Sequence, residues 1–114
     1  MAGPHPVDLA HLDRYTGGDP HLNAEILELF DGQCRIILAE LEELAGREAN
    51  GKAWRESNHK LKGAARGVGA FALGDAAAEA EKVTPAMAHG ALEKLKRDSA
   101  AVHEFIQDLL KQRV

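Results

Sequence analysis

Aromatic residues, cysteine and long apolar runs are all scarce in this chain of 114 residues, and each scarcity narrows the possible folds. Phe, Trp and Tyr make up only 4% of the residues, so smaller aliphatic side chains must fill the core. That composition favours packing of helix on helix, because β-sheets draw on aromatic and β-branched residues. The single cysteine, Cys34, allows neither a disulfide within the chain nor a cluster of thiolate metal ligands. No apolar run reaches the length of about 18 residues that is typical of a membrane-spanning helix.

The chain also lacks an excess of basic residues. Its 14 lysines and arginines stand against 18 aspartates and glutamates, giving a formal net charge of −4. Domains that bind nucleic acid normally carry a basic excess, so this balance argues against such a partner. Residues 1–8 lack the charged-then-apolar order of a signal peptide. Together with the length, these features predict one cytoplasmic domain over residues 1–114.

Apolar residues recur at intervals of three and four, and no segment alternates with the period of two that indicates a strand. Glycine, proline and asparagine divide this pattern into a short first helix and four longer ones. The predicted bounds are residues 8–15, 20–45, 50–68 and 70–83, with a last helix after Thr84-Pro85. The fold predicted is all-α, an antiparallel up-down four-helix bundle with a short additional N-terminal helix across one end.

Capping residues support several of these boundaries. Asp8 and Asp19 are expected to cap the first two helices, and Asn50 and Thr84 offer further caps. Gly17 should end the first helix in a left-handed conformation. On the second helix, the spacing predicts an inward stripe of eight side chains: Leu22, Ile26, Leu29, Phe30, Gln33, Ile37, Leu41 and Leu44.

His59 breaks the pattern of the third helix because its predicted direction is away from the core. At about 100° per residue, Trp54 and Leu61 lie within about 20° of each other and define the core side. His59 is roughly 200° around the helix from Leu61 and therefore faces solvent. Residues three and four positions away share its surface. They are Arg55, Glu56, Lys62 and Gly63, and Arg66 extends the same stripe.

An exposed imidazole among cations is suited to accepting a phosphoryl group. The ordinary pKa of an imidazole is about 6.5, so its neutral, nucleophilic form is available near neutral pH. Lys62 is placed to stabilise the phosphoryl oxygens, with weaker help from Arg55 and Arg66. Gly63 costs about 1 kcal/mol relative to alanine in mid-helix, and we interpret it as giving access to His59. No glycine-rich nucleotide loop is present, so the phosphate must come from another protein.

The spacing His59-x-Leu61-Lys62-Gly63, followed by Gly69-Ala70 and Glu81, resembles the signature of histidine-containing phosphotransfer (HPt) domains. The upstream Gly17-Gly18-Asp19-Pro20 and Leu29-Phe30 are also similar to that family, so the resemblance covers nearly the whole chain. It departs at Ala64-Ala65, where the family often has serine. The resemblance implies a role for each matching residue: His59 the phosphoacceptor, Lys62 its electrostatic partner, Gly63 the access glycine, Gly69 the turn into the next helix and Glu81 the group that orients the imidazole.

The resemblance also implies the partners. These are receiver domains of response regulators and a hybrid sensor histidine kinase, with magnesium held by the receiver and no cofactor on this chain. The docking surface is expected around Arg55, Gly63, Ala64 and Gly67, on a monomer. The other five histidines have no spacing typical of a zinc helix, so no metal is expected.

Three other functions compete with phosphotransfer. The dimerisation helix of an autophosphorylating kinase usually has an acidic residue after its histidine, whereas here Lys60 follows. A purely structural bundle or homodimer would expose a large apolar patch instead of a histidine site. A non-catalytic adaptor that binds a kinase or receiver without carrying phosphate stays open.

Overall fold

The computed structural model describes residues 5–112, and this part of the chain is helical with no strand. Five α-helices follow one another: α1 (Leu9–Thr16), α2 (Pro20–Leu44), α3 (Gly51–Val68), α4 (Phe71–Ala80) and α5 (His89–Gln112). Short 3₁₀ turns, Glu48–Asn50 and Pro85–Met87, precede α3 and α5. The predicted all-α class is confirmed. The predicted single domain stays a prediction, since residues 1–4 and 113–114 lie outside the described part.

The four long helices surround one core. Helix α2 packs against α3 and α5, helix α4 packs against the same two, and α1 lies against α2 and α3. Large side chains from all four long helices are fully buried, among them Ile37, Trp54, Leu73 and Ile106. These pairwise contacts place α3 between α2 and α4. The up-and-down direction of successive helices stays a prediction.

The acidic caps form as predicted, whereas the polar uncharged ones do not. Asp8 accepts a hydrogen bond from the backbone N–H of His11, and Asp19 accepts from the first turn of α2. Asn50 makes no capping bond; its amide instead donates to the carbonyl of Leu44 at 3.0 Å, tying the end of α2 to the start of α3. Thr84 makes no side-chain cap either.

The inward stripe predicted for α2 is wrong at three positions. Leu22, Leu29 and Gln33, assigned to that stripe, are exposed, and Leu29 is 76% exposed. Phe30, Ile37 and Leu41 are buried as predicted, and Leu27 and Cys34, which the prediction leaves out, are buried with them. Apolar residues also recur every seven positions at 22, 29 and 36, so α2 carries two apolar lines and spacing alone could not choose between them.

Helix α4 ends earlier than predicted. The expected bounds reached Val83, but the α-helix stops at Ala80 and Val83 is exposed. The backbone N–H groups of Lys82 and Val83 bond to carbonyls only three residues back, which tightens the chain into a turn. The proline at position 85 disfavours helical geometry at the residue before it, so the chain leaves the helix ahead of Thr84. Glu81 therefore lies at the end of α4 and not within it.

Gly69 joins α3 to α4 at a crowded point. Its φ is +90°, in the left-handed region that favours glycine. The Gly69 carbonyl accepts a hydrogen bond from the backbone N–H of Asp8 at 2.9 Å. A β-carbon at this position would stand 2.6 Å from the carbonyl oxygen of Asp8. The glycine thus turns the chain and admits the segment that precedes α1.

Gly69→Ala should lower the free energy of unfolding by at least about 1–2 kcal/mol, because alanine is strained at this φ and its methyl group meets Asp8. Gly67→Ala is the matched control, since a β-carbon there meets no atom within 4 Å. That change should leave stability level or raise it by up to about 1 kcal/mol. Urea denaturation of the two variants checks this, and equal effects would contradict it.

Candidate functional site

His59 lies on the face of α3 opposite the one that packs in the core. Trp54 and Leu61 are completely buried, whereas the His59 side chain is 69% exposed. The imidazole thus lies on the solvent side of α3, as the helical spacing predicts. Gly63, one turn further on, is also exposed, and a β-carbon there would meet no atom within 4 Å. Helix packing therefore does not require glycine at position 63.

A buried hydrogen bond fixes the end of α4 beside α3. The indole Nε1–H of Trp54 donates to the carbonyl of Ala80, the last residue of α4, at 2.8 Å. Because Glu81 follows Ala80 directly, this bond determines where the Glu81 side chain leaves the backbone. Helical spacing does not predict this contact, since it identifies Trp54 only as a core residue.

The Glu81 carboxylate connects the two polar groups of the site. Its Oε2 lies 3.3 Å from His59 Nδ1, and its Oε1 lies 2.5 Å from the Lys62 Nζ. The glutamate and the lysine are both about one-fifth exposed, so this bridge is partly shielded from water. The structure thus brings together His59, Lys62 and Glu81, all three of which the sequence singles out.

The bridge affects the charge of Glu81. The hydrogen bond from Lys62 is the largest influence and lowers the pKa of Glu81, and the lysine charge and the His59 contact lower it further. Partial burial opposes this shift. Glu81 is therefore ionised at neutral pH and can only accept hydrogen bonds. A neutral His59 must then carry its proton on Nδ1, which leaves the lone pair of Nε2 free toward solvent.

Arg66 is not brought to His59. Its guanidinium pairs with Asp75 on α4 at 3.2 Å, and its stem crosses α4 at Gly74, where a β-carbon would stand 2.8 Å from Arg66 Cγ. Arg66 therefore contacts α4 and not the imidazole, and its help to the phosphoryl group stays a prediction.

The predicted docking residues differ in how exposed they are, and their role in docking stays a prediction. The guanidinium of Arg55 reaches back toward Gly51, one turn before it on α3. Ala64 is half-buried and packs against the core. Gly67, by contrast, is exposed and open like Gly63. The bare part of the α3 surface is therefore formed by Gly63 and Gly67.

A second histidine contacts a carboxylate elsewhere in the described residues. His103 Nδ1 on α5 lies 2.9 Å from Asp31 on α2, which is buried and also contacts Arg35. No lysine joins this pair, which links two packed helices, and its carboxylate is only 9% exposed. It fits a structural role better than a reactive one.

Within residues 5–112, no three His, Cys, Asp or Glu side chains gather in a way that would hold a metal ion. The expectation of no metal site stays a prediction. None of the described helices is both long and apolar enough to cross a membrane.

A family model for the Hpt domain matches residues 25–112, from the first turns of α2 to the end of α5. The match includes His59, Lys62 and Glu81. This protein therefore belongs to the Hpt domain family, which acts in two-component phosphotransfer. Searches of curated proteins and of solved structures gave no match.

Glu81→Ala should change the tautomer of the His59 ring. In the wild type, when the His59 ring is neutral, the Nδ1–H form should dominate because the Glu81 carboxylate accepts a hydrogen bond from Nδ1–H. Without the carboxylate, the Nε2–H form should gain population. Long-range ¹H–¹⁵N NMR spectra of the imidazoles measure this directly, and His103 serves as an internal control whose signals should not move. An unchanged His59 tautomer would contradict the role of Glu81.

Proposed function

We propose that this protein is a phosphorelay carrier in which His59 accepts a phosphoryl group from a receiver aspartate and passes it to another response regulator. The observation that carries the proposal is a largely exposed imidazole whose Nδ1 lies against a carboxylate, which makes Nε2 the nitrogen available to a partner. Membership of the Hpt family supports the class of reaction.

The chemical step needs no proton transfer at the site. The Nε2 lone pair attacks the phosphorus of the aspartyl phosphate, and the Nε2–P bond forms as the bond from phosphorus to the aspartate oxygen breaks. The electron pair of that bond stays on the aspartate carboxylate. The ring keeps its Nδ1 proton and gains a positive charge, which the Glu81 carboxylate at 3.3 Å offsets.

Lys62 supplies a positive charge for the negatively charged phosphoryl oxygens. Its ammonium is bound to Glu81 before the phosphoryl group arrives. We expect the ammonium to shift toward the phosphoryl oxygens as Glu81 turns its full charge to the imidazolium. This exchange of partners keeps each charge paired through the transfer.

The docking surface is expected to continue from α3 onto α2. Ser57 on α3 contacts Glu40 on α2 at 3.4 Å, which identifies the side of α2 that borders α3. Leu29 and Ile36 lie eleven and four residues before Glu40, on the same face at helical spacing, and both are exposed. Together with Gly67 and Gly63 they offer an apolar, uncrowded surface for a small and transient interface.

The remaining assignments follow from the resemblance. The partners are a hybrid sensor kinase and response-regulator receivers, the magnesium belongs to the receiver, and the protein acts as a cytoplasmic monomer of up-down bundle form. The competing proposal is an adaptor that binds a receiver without carrying phosphate. Only a carrier takes a phosphoryl group onto His59, so phosphorylation of the protein distinguishes a carrier from an adaptor.

The direct experiment is incubation with a purified receiver domain phosphorylated on its aspartate. Mass spectrometry under neutral conditions should find one phosphate on His59. His59→Gln should take up none while keeping its thermal midpoint, because an exposed side chain contributes no more than about 0.5 kcal/mol to stability. A complex with the receiver but no label on the wild type would favour the adaptor.

Gly63→Leu should block transfer without weakening the fold. The new side chain would stand one turn from His59, where no neighbouring atom opposes it, so it would obstruct the partner and not the core. Leucine should also raise helix stability by up to about 1 kcal/mol. Transfer rate and thermal midpoint are measured together, with Gly90→Leu on α5 as a control in equally open space. Retained transfer, or a clear loss of stability, would contradict the assignment of Gly63.

A further inference from the structure

Charge is divided unevenly among the helices. Helix α3 carries five basic residues, Lys52, Arg55, Lys60, Lys62 and Arg66, and one acidic residue, Glu56, a net charge of +4. The whole chain carries −4, so everything outside α3 sums to −8. Neighbouring α2 carries six acidic residues and one arginine, a net charge of −5. The protein therefore has a strong charge asymmetry, with its positive side on the helix that bears His59.

The five cations fall into two groups. Lys62 and Arg66 pair with Glu81 and Asp75, so acids at the α4 side neutralise them. Lys52, Arg55 and Lys60 are exposed and form no ion pair within residues 5–112. The uncompensated charge of α3 therefore lies on these three residues.

These three residues flank the imidazole. Lys52 precedes His59 by seven residues and Arg55 by four, so both are on its side of the helix, and Lys60 is its neighbour in sequence. Glu56 lies among them, which leaves a local surplus of two positive charges. We define Lys52, Arg55 and Lys60 as the cationic rim of the site.

Stability of α3 does not explain the rim. Both Lys52 and Lys60 are four residues from Glu56, a spacing at which opposite charges can pair, yet neither lysine lies within 4 Å of its carboxylate. Lys52 and Arg55, three residues apart, repel each other. Such an arrangement adds little to the stability of the helix itself, whereas it would attract an approaching acidic surface.

We propose that the cationic rim recognises an acidic face of the receiver domain and steers it onto His59. The inference rests on the proposed function, because it assumes that a receiver is the partner. Complementary potentials raise the rate of encounter and orient the partner, and they add less to the chemical step. The rest of the chain, with its net charge of −8, should repel the same acidic face and so disfavour docking elsewhere.

The test compares two triple variants of equal net charge. Lys52→Gln with Arg55→Gln and Lys60→Gln removes the rim; Arg14→Gln with Arg97→Gln and Lys111→Gln removes three exposed cations of α1 and α5. Each variant takes the chain from −4 to −7. Transfer from a purified receiver domain, phosphorylated on its aspartate with acetyl phosphate, is measured against receiver and salt concentration.

The rim variant should lose about tenfold in kcat/KM at low ionic strength, with kcat within about twofold of wild type. The difference should vanish near 1 M salt, where the screening length is only about 3 Å. The control variant should stay within about twofold of wild type throughout. Equal losses in both triples would show that only net charge matters and would overturn the proposal.

Phosphoramidate, a small donor that phosphorylates imidazoles directly, separates docking from chemistry. The Lys52→Gln, Lys60→Gln pair, which keeps Arg55, should react with it at the wild-type rate, within about twofold, because no docking is needed. A loss with phosphoramidate as large as the loss with the receiver would mean that these lysines act on the phosphoryl group itself, against the proposal. If the wild type reacts with phosphoramidate but with no receiver, the proposed function itself fails, and the inference with it. Should the triple variant melt early, the Lys52→Gln, Lys60→Gln pair repeats the test with about a fivefold expected loss.

Discussion

The hydrogen bond from the Trp54 indole to the Ala80 carbonyl is the contact on which the site depends. It is fully buried, so losing it would leave a polar group without a partner in the core. The same residue fills the space between the helices, and its bond sets the distance from α3 to the end of α4. Glu81 is the next residue after Ala80. A packing interaction therefore decides where the carboxylate of the site stands.

One helix then supplies both the anchor and the nucleophile. Trp54 points into the core and His59 points out of it, so the position of the imidazole relative to Glu81 is fixed through a rigid element. Glu81 divides its two oxygens between the imidazole and Lys62. A single carboxylate thus sets the tautomer of one group and the position of the other. The phosphotransfer chemistry proposed here uses both effects.

The sequence predicts the parts of this molecule that depend on local rules. Aspartate caps, glycine ends and the outward direction of His59 follow from neighbours within one or two turns. Where two solutions satisfy the same local rule, prediction fails: α2 carries two apolar lines, and only packing against α3 and α5 selects the one that contains Leu27 and Cys34.

Contacts between helices were beyond prediction for the same reason. Arg66 shares a stripe with His59 in sequence, but Gly74 and Asp75 on the next helix determine where its side chain lies. Glu81 could be named from family resemblance alone, and its bridge to Lys62 could not. The early end of α4, which puts Glu81 in reach of α3, also depends on turn bonds that spacing does not reveal.

The central claim is that Glu81 holds Nδ1 of His59 and leaves Nε2 as the reacting atom. The most direct measurement is ³¹P and ¹⁵N NMR of the protein labelled with phosphoramidate, which assigns the phosphorus to one ring nitrogen of one histidine. We expect a single phosphoryl group on Nε2 of His59, with the proton kept on Nδ1. Phosphorus on Nδ1 of His59, or mainly on another histidine, would contradict it.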